Sequence, residues 1–562
     1  MRKLTTVFLI LAVCLPVCLF AQSAIAPLNS DYYHNIDRYE IQGGKIHPGF
    51  FTSWKGYQRE QIADFVDSLK GEPGWSRVDR FNLNYLSNDN WEYADSASYK
   101  SKKSILKHFY RSQSDLYHVN TKDFDLHINP VLYLGGGTES ASEERTYINT
   151  RGVQVRGMID GKVGFYSFLG ENQAIFPEYV MSDIRQGLVV PHEGFWKGYK
   201  ENGVDYFTAR GYITFNATKH INLQFGHDRF KIGNGYRSLI LSDYAPAYLF
   251  LKMQTKVWKL NYTNLFTQMT ANVLGNSSGL TGSRSYDNKY MSLHHLSLNI
   301  GKKLNIGVFE AVVFSNTDST SNNGYELKYL NPIIFYRAIE QQNGSSDNVL
   351  LGADFKWLPV KKVSVYGQLV LDEFVLDNIK EGSGWWANKY AVQLGAEYVN
   401  VLGINNLDVQ VETNISRPYT YSHDTEYGSY SHYLQPLAHP LGANFNEVVG
   451  LLRYQPLGRL QVTAKLIRAK YGTDGSDENW GGNILLRNTS RERDFNNEVG
   501  QGIGSTLTYG SLNLSYQFKH NLFIDLTHIY RKLESDQASL NESTNHTSMA
   551  LRWNIPHRYN EF

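Results

Sequence analysis

Residues 407–415 read Leu-Asp-Val-Gln-Val-Glu-Thr-Asn-Ile, and this stretch decides the fold. Leu407, Val409, Val411 and Ile415 fall on one side of a two-residue period; Asp408, Gln410, Glu412 and Asn414 fall on the other. Side chains of an extended chain alternate between faces, so a period of two means a strand with one greasy and one wet face. The pattern recurs. Phe124, Leu126, Ile128 and Leu132 oppose Asp125, His127 and Asn129. Phe207, Ala209, Ile213 and Phe215 oppose Tyr206, Thr208, Arg210 and Thr214, and Val363, Val365, Leu369 and Leu371 oppose Ser364, Gln368 and Asp372.

The connections between such segments carry a stronger signal. Short turns near 159–161, 217–220, 257, 301–303, 358–361, 400–406, 456–458 and 519–521 alternate strictly with long polar stretches near 135–146, 171–204, 231–247, 270–290, 315–348, 374–388, 417–445, 471–505 and 533–545. Eight turns and nine loops join about 18 strands, an even number with short connections at one end and long ones at the other, as in outer-membrane barrels. A sheet in lipid must close on itself, because no backbone group there can bond to water. The expectation is an all-β fold: a closed antiparallel transmembrane β-barrel over 124–562, apolar faces to lipid and polar faces to the lumen, located in the cell outer membrane. A soluble sandwich also buries one face, but it lacks the short/long alternation, and no internal repeat suggests a propeller.

Both ends of the chain differ from this pattern. Arg2 and Lys3 precede the apolar run Leu4–Phe20, with small residues at Ala21, Ser23 and Ala24, so residues 1–21 read as a secretory signal peptide. Cys14 and Cys18, the only cysteines, lie inside it, which leaves the exported chain without disulfides or thiolate metal sites. Residues 22–123 read as a mainly helical periplasmic unit. Ile62, Phe65, Val66 and Leu69 are spaced helically within 57–70, Ser76 is a natural N-cap for 77–86, and 102–109 is a weaker third helix. The last strand, 547–555, precedes a C-terminal Phe562, the residue with which barrels commonly present their end to the barrel-assembly machinery. Pro556 and the residues after it put Phe562 out of register with the apolar face.

Net charge is +1 across 562 residues, which argues against a nucleic-acid partner. Arg210, Asp228, Lys259, Asp354, Lys356, Asp372, Glu397, Asp408, Glu412, Lys465, Asp525 and Arg552 are candidate lumen residues. Both signs occur among them, unlike the single-sign ring of a selective pore, and such mixed charges more often make a hydrogen-bonded plug or wall. The 14% aromatic content concentrates partly in polar loops: Trp385 and Trp386, Trp480, and a cluster of Tyr419, Tyr421, Tyr427, Tyr430 and Tyr433. Such rings form a membrane girdle, pack the loops, or stack on sugars. No hydrolase, metalloprotease, nucleotide-loop or kinase motif is present, so neither an enzyme nor a cofactor is expected, and the acidic 474–478 segment reads as solvated rather than as a metal site.

Five segments carry a family resemblance: KIGNGYRSLILSDYAPAY (231–248), YLNPIIFYR (329–337), YGQLVLDEF (366–374), HPLGANFNE (439–447) and LKHFYRSQSDLYHVNTKDFDLHINPVLYL (106–134). The first four resemble Wzi-type capsule-assembly proteins, and the last resembles the variant of gliding bacteria, including the RemB motility proteins. The resemblance implies an 18-stranded outer-membrane barrel with a small periplasmic helical bundle, which binds surface or capsular polysaccharide and, in gliding relatives, contributes to motility or adhesion. On that reading Arg210, Arg229, Arg237, Arg337 and Arg417 are expected to pair with sugar carboxylates. Asp228, Asp372, Glu373 and Glu412 would orient them, and Tyr419, Tyr421 and Tyr433 would stack on sugar rings. The alternatives are a conducting porin and a structural component of a motility or adhesion complex that contacts motility proteins.

Overall fold

The computed structural model describes residues 23–71, 74–94, 99–101, 108–278, 284–315, 325–332, 347–373 and 375–562. Eighteen antiparallel strands close into a barrel. They are β1 Phe124–Glu139, β2 Thr146–Ile159, β3 Val163–Ile175, β4 Gly203–Asn216, β5 Ile221–Asp228, β6 Tyr248–Val257, β7 Leu260–Ser278, β8 Arg284–Ile300, β9 Leu304–Phe314, β10 Asn348–Trp357, β11 Val363–Glu373, β12 Lys389–Tyr398, β13 Leu407–Ser416, β14 Phe445–Leu457, β15 Leu460–Thr473, β16 Ile503–Lys519, β17 Leu522–Ser535 and β18 Glu542–Trp553. Closure is made by β18 against β1, from His546 opposite Glu139 to Trp553 opposite Leu132. Below Trp553 the short strand Tyr117–Asn120 continues the pairing, taking Ile128 to Asp125.

The alternation sorts as expected. In β13, Asp408, Gln410, Glu412 and Asn414 are buried, while Val411 is 51% exposed. Phe207, Leu466 and Met549 are about as exposed, at 62%, 60% and 59%. A one-residue slip would invert every such face, so the lipid boundary itself fixes the register. Two details depart from the sequence reading. Lys259 is not lumenal; it sits in the two-residue turn between β6 and β7 and is exposed. β7 also continues to Ser278 and β8 begins at Arg284, within the stretch 270–290 that reads as a loop. Polar residues such as Asn272 and Asn288 hide the strand there, because the alternation fades.

The N-terminal segment sits against and within the short-turn end of the barrel. It contributes α1 Ser30–Gly43, α2 Arg59–Leu69 and α3 Arg77–Asp89. Asn29 caps α1, accepting from the N–H groups of Asp31 and Tyr32, and Gly44 ends it with φ of 65°. Ser76 and Asp79 form a reciprocal capping box on α3. Ile36, Phe50, Ile62, Phe65, Leu83 and Leu86 build a small core of their own. Segment 102–107, most of the third helix expected from the sequence, lies outside the described residues, as does 1–22; the described part of 90–123 contains no α-helix.

The docking is dense. Arg38 donates Nε to Asp408 (2.9 Å), Nη1 to Asp79 (2.6 Å) and Nη2 to Asn400 (2.6 Å). Lys356 reaches Asp37 and Glu40 at 3.3 and 3.1 Å. Backbone bonds join the two parts: Ile46 N–H to Lys302 C=O at 2.8 Å, Lys362 N–H to Ile41 C=O at 2.7 Å, and Gly233 N–H to Ser53 C=O at 2.6 Å. Trp54–Lys55 also pairs with Lys231–Ile232. At this end, much of the polar face of the barrel wall is therefore used to hold protein.

The C-terminus departs from expectation. β18 ends at Trp553, and Asn554, with φ of 53°, turns the chain inward. Phe562 does not complete the strand. Residues 554–562 climb through the lumen to the long-loop end, where the Phe562 ring lies 5.0 Å from the Arg237 guanidinium and 6.0 Å from the His439 ring. Nine extended residues span about 30 Å, the order of a bilayer core.

Candidate functional site

The long-loop end is closed by loops that fold inward, chiefly 229–247 and 417–444, with 176–202 packed against them through Gln435. Their lock is aromatic and polar. Tyr421 donates its hydroxyl to Leu239 C=O and Tyr430 donates to Ile240 C=O, both at 2.7 Å, with the two rings stacked 5.7 Å apart. Tyr419 donates to Asn479 C=O at 2.8 Å. All three are essentially fully buried. This corrects the reading of Tyr419 and Tyr421 as sugar platforms: their density in the sequence reflects loop packing, each phenol satisfying a buried carbonyl.

The carboxylates expected at a ligand site mostly hold these loops. Glu412 accepts the backbone N–H groups of Tyr236 (2.7 Å) and Arg237 (3.0 Å) and the Tyr366 hydroxyl (2.9 Å). Asp372 accepts the Tyr421 N–H at 2.8 Å and lies 3.2 Å from Lys389 Nζ. Glu373 is half-exposed, 3.5 Å from the same ammonium. Arg237 is not free for a sugar carboxylate, since it pairs with Glu447 at 2.9 Å and Glu561 at 2.7 Å. Burial works against its charge, but the two carboxylates outweigh burial and hold its pKa above the ordinary arginine value. Arg417 is half-buried and donates to the Trp385 and Asn497 carbonyls at 3.3 and 3.4 Å. Arg337 lies outside the described residues.

Arg210 and Arg229 do meet. They line a cavity of about 350 Å³ enclosed by the helical unit, the wall, the outer loops and the tail. Burial, and then the neighbouring Arg210 guanidinium, push Arg229 down to about 10. Arg210 lies 3.6 Å from Glu193, and Asp228 accepts the Arg229 N–H at 2.9 Å. Arg558 from the tail faces the same space, donating to Tyr206 and Asn172 at 2.8 and 2.7 Å.

What remains accessible is on the outer loops. Trp480 is half-exposed and edges a recess of about 470 Å³ with Glu478, Arg493, Glu498 and Gln501. Its indole N–H donates to Glu478 at 2.7 Å, and Arg493 sits 5.3 Å over its ring while donating to Gln501 at 3.2 Å. Asp474 accepts the N–H groups of Trp480 and Asn483, fixing the loop. An aromatic face with carboxylate, amide and guanidinium groups beside it suits a polyhydroxylated ring. A second aromatic group joins loops distant in the chain: Phe195, 42% exposed, stacks on Tyr286 at 5.3 Å and meets Tyr433 edge-on at 5.1 Å. Of the tyrosines expected to contact ligand, only Tyr433 stands at such a surface. Phe195 and Tyr286 escaped the sequence reading because no local pattern links residues 91 positions apart.

The fold and these loops define an 18-stranded outer-membrane β-barrel with a filled lumen. Its structure is similar to that of Wzi from Escherichia coli, described as an outer-membrane protein involved in group 1 capsule assembly and a carbohydrate-binding β-barrel. The TM-score is 0.56 and the identity 14%, over 95% of this chain and 100% of that one. OprD from Pseudomonas aeruginosa aligns at a TM-score of 0.41 and 11% identity, over 76% of this chain and 94% of that one. No family model matches the chain, and no curated protein matches it.

Proposed function

We propose that this barrel binds surface polysaccharide at its long-loop end and helps to assemble or retain it on the cell. The observation that carries the reading is the division of labour along the axis. The lumen is occupied by helices, tail and inward loops, which leaves exposed aromatic and polar groups on the outer loops as the surface open to a large ligand. The shared fold with a barrel described as carbohydrate-binding supports it. In this reading residues 1–21 direct export, residues 22–123 face the periplasm, and the long loops face outward. The recess beside Trp480 would take a sugar ring by stacking, with Arg493 positioned for a carboxylate on an acidic sugar and Glu478 and Gln501 for hydroxyls. In a gliding cell the same attachment would serve traction.

The test is binding of purified protein to the surface polysaccharide of the producing cell, followed by the quenching of Trp fluorescence. Trp480→Ala is expected to weaken binding by up to about tenfold, in line with the roughly 0.5–1.5 kcal/mol of an aromatic contact. No binding by the unaltered protein would overturn the proposal.

A further inference from the structure

Among the described residues, three parts of the chain occupy the lumen, and they are held differently. The helical unit exchanges backbone hydrogen bonds with the barrel turns and with the 231–233 segment. The inward loops are continuous with the strands. The tail is neither. Asn554 N–H bonds to Asn521 C=O at 3.0 Å, but among the described residues no backbone–backbone bond joins 555–562 to the rest of the protein. Its carbonyls are met by side chains: Tyr179 on Asn560 at 2.7 Å and His192 on Tyr559 at 3.3 Å. A segment bound through side chains alone can leave without unzipping a sheet.

His557 and Arg558 hold the middle of the tail through Asn513, Tyr206 and Asn172, and its charged anchor is at the tip. Glu561 pairs with Arg237 Nη1 at 2.7 Å and Lys465 Nζ at 2.5 Å, and accepts the Tyr236 hydroxyl. The carboxylate is buried, and two cations and a hydroxyl meet it there. Both Tyr236 and Arg237 belong to the inward loop 229–247, so the tail tip is pinned to the same loop that closes the outer end. Along its length the tail borders the 350 Å³ cavity, which already reaches from the helical unit (Tyr32, Asn82) to the outer loops (His192, Tyr244).

We propose that the C-terminal tail is a releasable lumen plug: it keeps the barrel non-conducting while Glu561 is pinned to the 229–247 loop, and its withdrawal joins the central cavity into an aqueous path. Current through planar bilayers tests this with three proteins: the unaltered chain, one ending at Asn554, and Glu561→Gln. Proper folding of each is checked by the heat-dependent gel shift of closed barrels. The truncated barrel is expected to carry a steady current at least tenfold above the unaltered one, and Glu561→Gln to show intermittent openings to the same level. A folded truncated barrel that conducts no more than the unaltered one would overturn the proposal. A second readout uses the absence of cysteine after residue 18. The single thiol of Phe562→Cys, in protein produced without residues 1–21, should react with a membrane-impermeant maleimide more than tenfold faster when Glu561→Gln is added. Equal rates in the two backgrounds would count against the anchor.

Discussion

Arg38 offers the sharpest energetic prediction. It lies on α1, is almost completely buried, and bonds at once to Asp408 on the barrel wall and to Asp79 on α3. Arg38→Ala leaves two buried carboxylates short of their main counter-charge: Asp79 loses its cation, and Asp408 retains His34 at 3.1 Å. Breaking a buried pair from one side costs about 3–5 kcal/mol. Because His34 compensates in part, the lower end applies, about 3 kcal/mol, or roughly a hundredfold in the docking equilibrium. The barrel does not depend on this contact, so the effect should be local. Limited digestion with chymotrypsin reads it, since Tyr32, Tyr33, Tyr39, Phe50 and Phe51 are buried when the unit is docked. Where opening is fast relative to cleavage, the rate tracks the open population. Arg38→Ala should be cut within 30–54 about a hundredfold faster, with the barrel fragment intact and heat-modifiable. Adding Asp408→Asn should restore part of the protection. Cleavage of Arg38→Ala within about twofold of the unaltered protein would refute the reasoning.

Further expectations follow from single features. Asp37 lies between Lys55 and Lys356; burial opposes its charge, but the two ammonium groups prevail and lower it to about 2. A depressed carboxyl contributes stability above its unfolded pKa, near 4, and loses it as pH falls toward 2; this amounts to about 2 kcal/mol. The share of the helical unit's protease resistance that Asp37→Asn removes should thus be constant from pH 7 to 5 and shrink only below about 4. Tyr430→Phe leaves the buried Ile240 carbonyl without its donor, at a cost of about 1–3 kcal/mol; hydrogen exchange in 229–247 should accelerate while that of the wall strands stays unchanged. Gly152 sits in β2 where a Cβ would lie 2.1 Å from the Leu169 carbonyl oxygen. Gly152→Ala must therefore part β2 from β3, and should lower the urea midpoint of barrel unfolding by an amount corresponding to about 1–3 kcal/mol.

Much of the architecture was legible because lipid and lumen impose opposite chemistry on alternate residues. β13 alone shows it, with Asp408, Gln410, Glu412 and Asn414 inward and Val411 in lipid. The caps on α1 and α3 and the helical spacing of Ile62, Phe65, Val66 and Leu69 were equally local signals. What the sequence hid was long-range. Glu412 looks like a ligand-binding carboxylate in a strand, yet its partners are amides 176 and 175 positions away. Tyr421 looks like a surface aromatic, yet it closes on Leu239, 182 positions away. The tail shows the same limit. His557, Arg558, Tyr559 and Glu561 break the strand pattern, and only the fold shows that each has a partner inside the barrel. A wet face marks contact with polar groups; it does not say whether those groups are water, sugar or the protein itself.

The proposed role of the barrel is to hold polysaccharide on the cell. The most direct measurement is the partition of surface polysaccharide between cells and medium in a strain lacking this protein, compared with the same strain carrying the unaltered chain. Loss of the protein should move polysaccharide from the cells into the medium with total synthesis unchanged, and restoring the chain should return it. Full retention on cells that lack the protein would contradict the account.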